Sequence, residues 1–285
     1  MTYFNHNNDY PISIEEILIK PQTRTQIAIR QFILFNKRNG LKIVILNLGP
    51  KIVDCFVDHI HPIIYGHDHN HSEINDQNLI DYRANRIPGP YNSNNPNNDS
   101  INNSNNRCWD SHVFGFDAIT LSHYILMEPI RTLTYSLNTE NEFIIEGNNL
   151  LNFHNFLFNP FFFNLNPVAN PPCLDEHYLN IRSSHESINV FTEHQALFGQ
   201  FINRIPSNIT NVLSDGSDFV CSTNPSSLPD SFLIATLTYK TRLIEISLEI
   251  DRQVQSNLRI VIKNGSIAFV PHDMNKFKVI YKFHW

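Results

Sequence analysis

Several familiar sources of function are scarce in this 285-residue chain. Its four cysteines, Cys55, Cys108, Cys173 and Cys221, lie far apart and form neither a CxxC pair nor a closely spaced framework. That spacing argues against a thiolate zinc site and against a disulfide scaffold, and it fits a reducing compartment. Basic residues are few, 21 against 27 acidic ones for a net charge of −6, and they form no block that could track a phosphate backbone. A nucleic-acid partner is therefore not expected. No stretch approaches the ~18 apolar residues of a membrane helix. The amino terminus, Met1 to Tyr10, is polar and asparagine-rich rather than basic and then apolar. These features predict no membrane association and a cytoplasmic location.

What is abundant is hydrophobic alternation. Hydrophobic residues make up 41% of the chain, enough for a substantial core. They recur with the period of two that half-buried antiparallel strands require, because successive side chains point to opposite faces. Ile244, Ile246, Leu248 and Ile250 share one face while Glu245, Ser247 and Glu249 share the other. Phe277, Val279, Tyr281, Phe283 and Trp285 alternate with Lys278, Ile280, Lys282 and His284. Similar short segments lie at Leu41–Leu46, Ile52–Val57, Ala118–Tyr124, Arg131–Leu137, Phe143–Glu146 and Phe232–Tyr239, separated by Gly, Pro, Asn and Asp. Many short strands predict an all-β, large antiparallel β-sandwich.

The one helical signal is Ser13 followed three residues later by Glu16, a capping-box spacing that predicts a short helix ending at Ile19 before Pro21. Residues 1–26 accordingly read as an N-terminal extension with a short helix, and residues 27–285 as one sandwich domain. The Asn- and Ser-rich tract at 91–106 lacks apolar surface to offset the entropy of ordering and reads as a disordered loop interrupting that domain. The 38 asparagines of the chain fit mutational bias as well as any function.

Five blocks, in order, resemble the aldose 1-epimerase (galactose mutarotase) family. Ala84-Asn85-Arg86-Ile87 looks like its A-N-R-I motif and follows Gly40–Gly49 by about 40 residues. Arg107-Cys108-Trp109-Asp110 resembles a family strand beginning near a Trp, and Thr132–Asn138 with Glu142–Glu146 resembles its V-T-Y-T-L hairpin. Asn159–Leu165 resembles the N-H-S-Y-F-N-L block, and Tyr281-Lys282-Phe283 the last strand. The resemblance implies a supersandwich that binds a sugar across one sheet, with Asn85 and Arg86 as sugar contacts.

The same resemblance shows what is missing. Interconverting anomers needs a base for the C1 hydroxyl proton and an acid for the ring oxygen. Where the family has its acid His, this chain has Pro160, which carries no titratable proton. The interval from Ile87 to Trp109, where a second His is expected, contains no His. The family's basic Glu maps onto Arg259 in Leu258-Arg259-Ile260-Val261, and its sugar-contacting Asp onto Asp215 or Asp218 near Gly216–Phe219, out of register. Losing groups that each contribute roughly 10²–10⁴-fold points to a mutarotase-like pseudoenzyme that binds a hexose, a glycan or a protein without turning it over. The alternative is a divergent aldose 1-epimerase. No cofactor is implied.

Two other constellations compete. His59, His61, His67, His69 and His71 could bring imidazoles together on a metal, although the stretch lacks a carboxylate or thiolate frame and reads as polar loop. The aromatic run Phe153, Phe156, Phe158 and Phe161–Phe163 could stack on a sugar, but in a sandwich such rings fill the core. No G-x-S-x-G elbow accompanies Ser214–Ser217, which reads as a turn.

Overall fold

The computed structural model describes residues 10–22, 28–58, 61–65, 109–125, 128–149, 161–166, 174, 177–181, 189–190, 218–223, 231–249, 256–263, 265–272 and 275–285. All regular structure among them is β-strand, paired antiparallel in three sheets. No helix is long and apolar enough to cross a membrane among the described residues.

The first sheet is a meander of β1 (Ile12–Lys20), β2 (Ile29–Asn36), β3 (Lys42–Leu46), β4 (Lys51–Val57) and β5 (His61–Pro62). An eight-stranded sheet holds β7 (Asp110–Phe114), β8 (Ala118–Ile125), β9 (Glu128–Leu137), β10 (Glu142–Asn149), β12 (His177–Ile181), β15 (Ser231–Tyr239), β16 (Arg242–Glu249) and β19 (Lys276–His284). Its spatial order is β12-β15-β16-β19-β10-β9-β8-β7. The third sheet contains β6 (Ile64–Tyr65), β11 (Phe162–Phe163), β13 (Asn189–Val190), β14 (Asp218–Thr223), β17 (Ser256–Lys263) and β18 (Ser266–His272), ordered β13-β14-β17-β18-β11-β6.

The late alternations become central strands as expected. Along β19, Phe277, Val279, Tyr281 and Phe283 are buried, and in β16 so are Ile244, Ile246 and Leu248. The wet face of these strands carries a ladder of ion pairs, among them Lys278 with Glu249 at 2.8 Å and Lys282 with Glu142 at 3.0 Å. One buried cluster includes Phe32 and Ile43 of the first sheet, Tyr135 and Tyr281 of the second, and Phe163 and Phe269 of the third. Gly147 stands opposite Phe277, and a Cβ there would lie 2.1 Å from the phenyl ring, so only glycine leaves the ring its place.

The expected helix at Ser13–Ile19 does not form. Those residues belong to β1, in register with β2 from Ile12 opposite Asn36 to Leu18 opposite Arg30. Four isoleucines in nine residues favour a strand through their stiff χ1. A row of cross-strand pairs also outweighs one local cap worth about 1 kcal/mol. The Glu16 carboxylate that would have closed the capping box accepts instead from the Arg30 guanidinium. The segment taken for an extension is thus an edge strand of the first sheet.

Asn47 ties that sheet to its neighbour. Its buried side chain donates to the carbonyls of Ala28 and Trp109, each at 2.9 Å, and accepts from the Arg30 backbone N–H at 2.9 Å. The Trp109 N–H returns a bond to the Asn47 carbonyl at 2.8 Å. Every one of these polar groups finds a partner away from water.

On the side of the first sheet away from the main core, Val44, Leu46 and Val53 form a second small cluster. Asp54, opposite Val44, shares that face, and burial pushes its carboxyl up to about 6 from an ordinary 3.8, with nearby Lys42 pulling the other way. Between those two values the folded chain keeps a proton that the unfolded chain has released. Stability therefore falls as pH rises through that window and levels off above it. Asp54→Asn should flatten this slope and raise stability at pH 7 by about 1–3 kcal/mol, read from urea midpoints at pH 4 and pH 7. A slope unchanged by the substitution would remove Asp54 as its source.

Candidate functional site

The third sheet brings together the segments on which the sugar chemistry was expected to turn. In β17, Leu258, Ile260 and Ile262 are buried in the main core, so Arg259 projects from the opposite face. β14 pairs with β17, setting Val220 opposite Arg259 and Asp218 opposite Val261. Asp218 and Arg259 are thus diagonal neighbours on one face. The guanidinium grips the carboxylate with both arms, Nε to Oδ1 at 2.7 Å and Nη2 to Oδ2. Each side chain is only about one-fifth exposed, at 20% and 21%. β18 and then β11 complete this part of the sheet, and β11 begins two residues after Pro160.

Chemically the two side chains of this pair are occupied with one another, and its cation offers no base. A guanidinium keeps its proton in proteins and accepts no hydrogen bond. Both oxygens of Asp218, expected among the sugar contacts, are engaged by Arg259. Asn85, Arg86, Asp215 and Pro160 lie outside the described residues, as do His59, His67, His69 and His71, while His61 is placed in β5 by its backbone. Among the described residues no group of three or more His, Cys, Asp or Glu is arranged to hold a metal ion.

The segment after Pro160 is held as a rigid frame. The Asn164 side chain donates to the Gly265 carbonyl at 2.8 Å and accepts from the Asn166 N–H at 2.8 Å, while its backbone N–H reaches the Ile63 carbonyl at 2.9 Å. Leu165 donates its N–H to His177 Nε2 at 3.0 Å, and its carbonyl accepts from Arg242 at 2.8 Å. His177 is buried and stacked on Tyr239 with centroids 4.7 Å apart. Because its Nε2 accepts, that nitrogen carries no proton in this arrangement. Sequence reading missed His177, which sits in no recognisable pattern. The aromatic run resolves as core where it is described: Phe161, Phe162 and Phe163 are all buried.

A second feature was missed although the sequence carried a signal. On the inner face of the eight-stranded sheet, a transverse row runs from His123 through Arg131 to Asn149, in register across β8, β9 and β10. Trp109 stacks on His123 at 5.5 Å, and burial lowers the Arg131 pKa. Arg131 is in phase with Leu133 and Tyr135, and His123 with Leu121, so strict alternation already marked them as polar residues on an apolar face.

No protein-family model and no curated protein sequence matches the chain. Its fold does match solved structures. The GalM/aldose epimerase homologue from C. elegans superposes with a TM-score of 0.56 at 14% identity, covering 86% of this chain and 96% of that one. YeaD of Salmonella typhimurium, provisionally assigned as a mutarotase, gives 0.48 at 6% identity over 94% and 96%. An Escherichia coli K12 protein provisionally assigned as an aldose 1-epimerase gives 0.42 at 9% over 86% and 96%. The chain therefore has the all-β, galactose mutarotase-like sandwich fold of the C. elegans homologue.

The Arg259–Asp218 pair should act as one unit. Arg259→Ala and Asp218→Asn should each destabilise the fold, and in a double-mutant cycle show a coupling of about 1–2 kcal/mol, measured by urea unfolding. Additive effects would mean that the two side chains do not hold one another in solution.

Proposed function

We propose that this protein is a non-catalytic member of the mutarotase-like proteins that recognises a hexose or hexose-bearing glycan without converting its anomers. The observation that carries the reading is the bidentate Arg259–Asp218 pair on the third sheet, where the family resemblance calls for a carboxylate base. A guanidinium there can neither take the C1 hydroxyl proton nor return it. Pro160 at the acid position removes the second proton-transfer group.

What the fold retains is a rigid support for a ligand. Asn164 and the buried His177 fix the chain beside β11, and the Arg–Asp pair fixes β14 to β17. Asn85 and Arg86 match the family's sugar contacts residue by residue and supply the hydrogen bonds such a ligand needs. Recognition of this kind does not require a free anomeric hydroxyl.

Saturation-transfer NMR tests that distinction. Galactose and methyl β-galactoside, which cannot mutarotate, should give comparable transfer from the protein, and Asn85→Ala/Arg86→Ala should abolish both signals. A protein that discriminates sharply for the free sugar, or one whose signals survive the double substitution, would contradict the proposal.

A further inference from the structure

A buried imidazole joins the edge of the eight-stranded sheet to the chain that follows β11. β12 is the last strand on that side of the sheet and pairs with β15 alone among the described residues. Its first residue, His177, is 3% exposed, lies in register opposite Tyr239 and stacks on that ring. The Leu165 backbone N–H donates to His177 Nε2 at 3.0 Å. A backbone N–H can only donate, so Nε2 presents a lone pair and the neutral ring carries its proton on Nδ1.

A second proton therefore has one place to go, the nitrogen that faces Leu165. Once protonated, Nε2 is a donor set against a donor, and the Leu165 bond is lost whatever faces Nδ1. Two cations stand around the ring. The Arg242 guanidinium donates to the Leu165 carbonyl at 2.8 Å, and the Lys240 ammonium lies 4.9 Å from the centre of the Tyr239 ring. Asp175 and Glu176, next to His177 in the chain, lie outside the described residues. An imidazolium at a buried position also gives up its hydration.

We propose that His177 is an acid-operated latch: a proton on Nε2 releases β12 from Leu165 and from β15 while the rest of the sandwich stays folded. β12 is the side that yields, because the chain around Leu165 is held from other directions. Phe161, Phe162 and Phe163 are buried, Arg242 holds the Leu165 carbonyl, and Asn164 is bonded to the Gly265 and Ile63 carbonyls. β12 by contrast is five residues long with one neighbouring strand among the described residues. The opened form takes up a proton that the latched form excludes. Opening therefore becomes easier as pH falls below about 6.5, the ordinary histidine value, and is independent of pH above it. The latch goes beyond sugar recognition and does not depend on it.

Hydrogen exchange of the full chain without ligand, resolved by residue and corrected for the intrinsic pH dependence of exchange, tests the latch. Between about pH 7.5 and about pH 5, protection of the Leu165 amide and of the β12 amides should fall at least roughly tenfold, while the amides of β19 keep theirs. His177→Gln, whose side-chain oxygen can still accept from Leu165 but takes up no proton, should abolish the fall. Nitrogen NMR of the imidazole in the unsubstituted protein gives a readout that needs no variant. It should find Nε2 unprotonated at about pH 7.5 and gaining its proton over the range in which protection is lost. Protection that does not change with pH, a proton already on Nε2 at the upper pH, or a fall that persists in the Gln variant overturns the latch. Loss of protection at β19 in step with β12 overturns it as well, because the chain would then be unfolding as a whole.

Discussion

Everything on the third sheet depends on how its inner face is held against the eight-stranded sheet. The contact is aromatic. Phe161 and Phe163 meet Tyr281 of β19 at centroid distances of 5.2 and 5.6 Å, and Phe163 also touches Phe283 at 6.2 Å and Phe269 of β18 at 6.4 Å. Tyr281 then donates its hydroxyl to the Phe269 carbonyl at 2.7 Å, a bond made wholly inside the core. Burying each such ring contributes on the order of 1.5–3 kcal/mol, and offset or edge-on aromatic geometry adds about 0.5–1.5 kcal/mol per pair. The carboxyl-terminal strand and the segment after Pro160 are thereby locked together. The face that carries Arg259 and Asp218 is fixed from behind.

This separates two things that a motif combines. The block Phe161-Phe162-Phe163-Asn164-Leu165 keeps what the fold needs, namely buried rings, an asparagine bonded to the Gly265 carbonyl of the β17–β18 turn and to the Ile63 carbonyl between β5 and β6, and a leucine whose backbone is clamped at both ends. On the family resemblance, the position that would serve proton transfer carries Pro160. Framework constraints act through packing and hydrogen bonds that every copy of the fold must satisfy, whereas an acid or base is required only if the reaction is run. At Arg259 the neighbours Leu258 and Ile260 are core residues while the outward side chain is half of an ion pair.

The central strands were legible because burial on one face alone writes itself into the sequence with period two, as in Ile244–Leu248 and Phe277–Phe283. Ser13–Ile19 was misread because a capping box is a local signal, while the partner strand β2 that decides the matter lies beyond any local window. The Asp218–Arg259 pair could not be seen either, since 41 residues separate its members and only the β14–β17 register makes them neighbours. Their separate positions had been marked, Asp218 as a sugar contact and Arg259 as the base replacement. His123 and Arg131 were readable as breaks in alternation, and His177 was not, because a single buried His leaves no periodic trace.

The central claim is that the fold persists here without the proton-transfer groups of an anomer-converting site. Exchange of freshly dissolved α-galactose, followed by NMR of the two anomeric protons, tests it most directly. The account predicts exchange at the buffer rate, unchanged by added protein at any concentration. Acceleration proportional to protein and abolished by Arg259→Ala or by Asn85→Ala/Arg86→Ala would contradict it, and would require other groups on this sheet to act as acid and base.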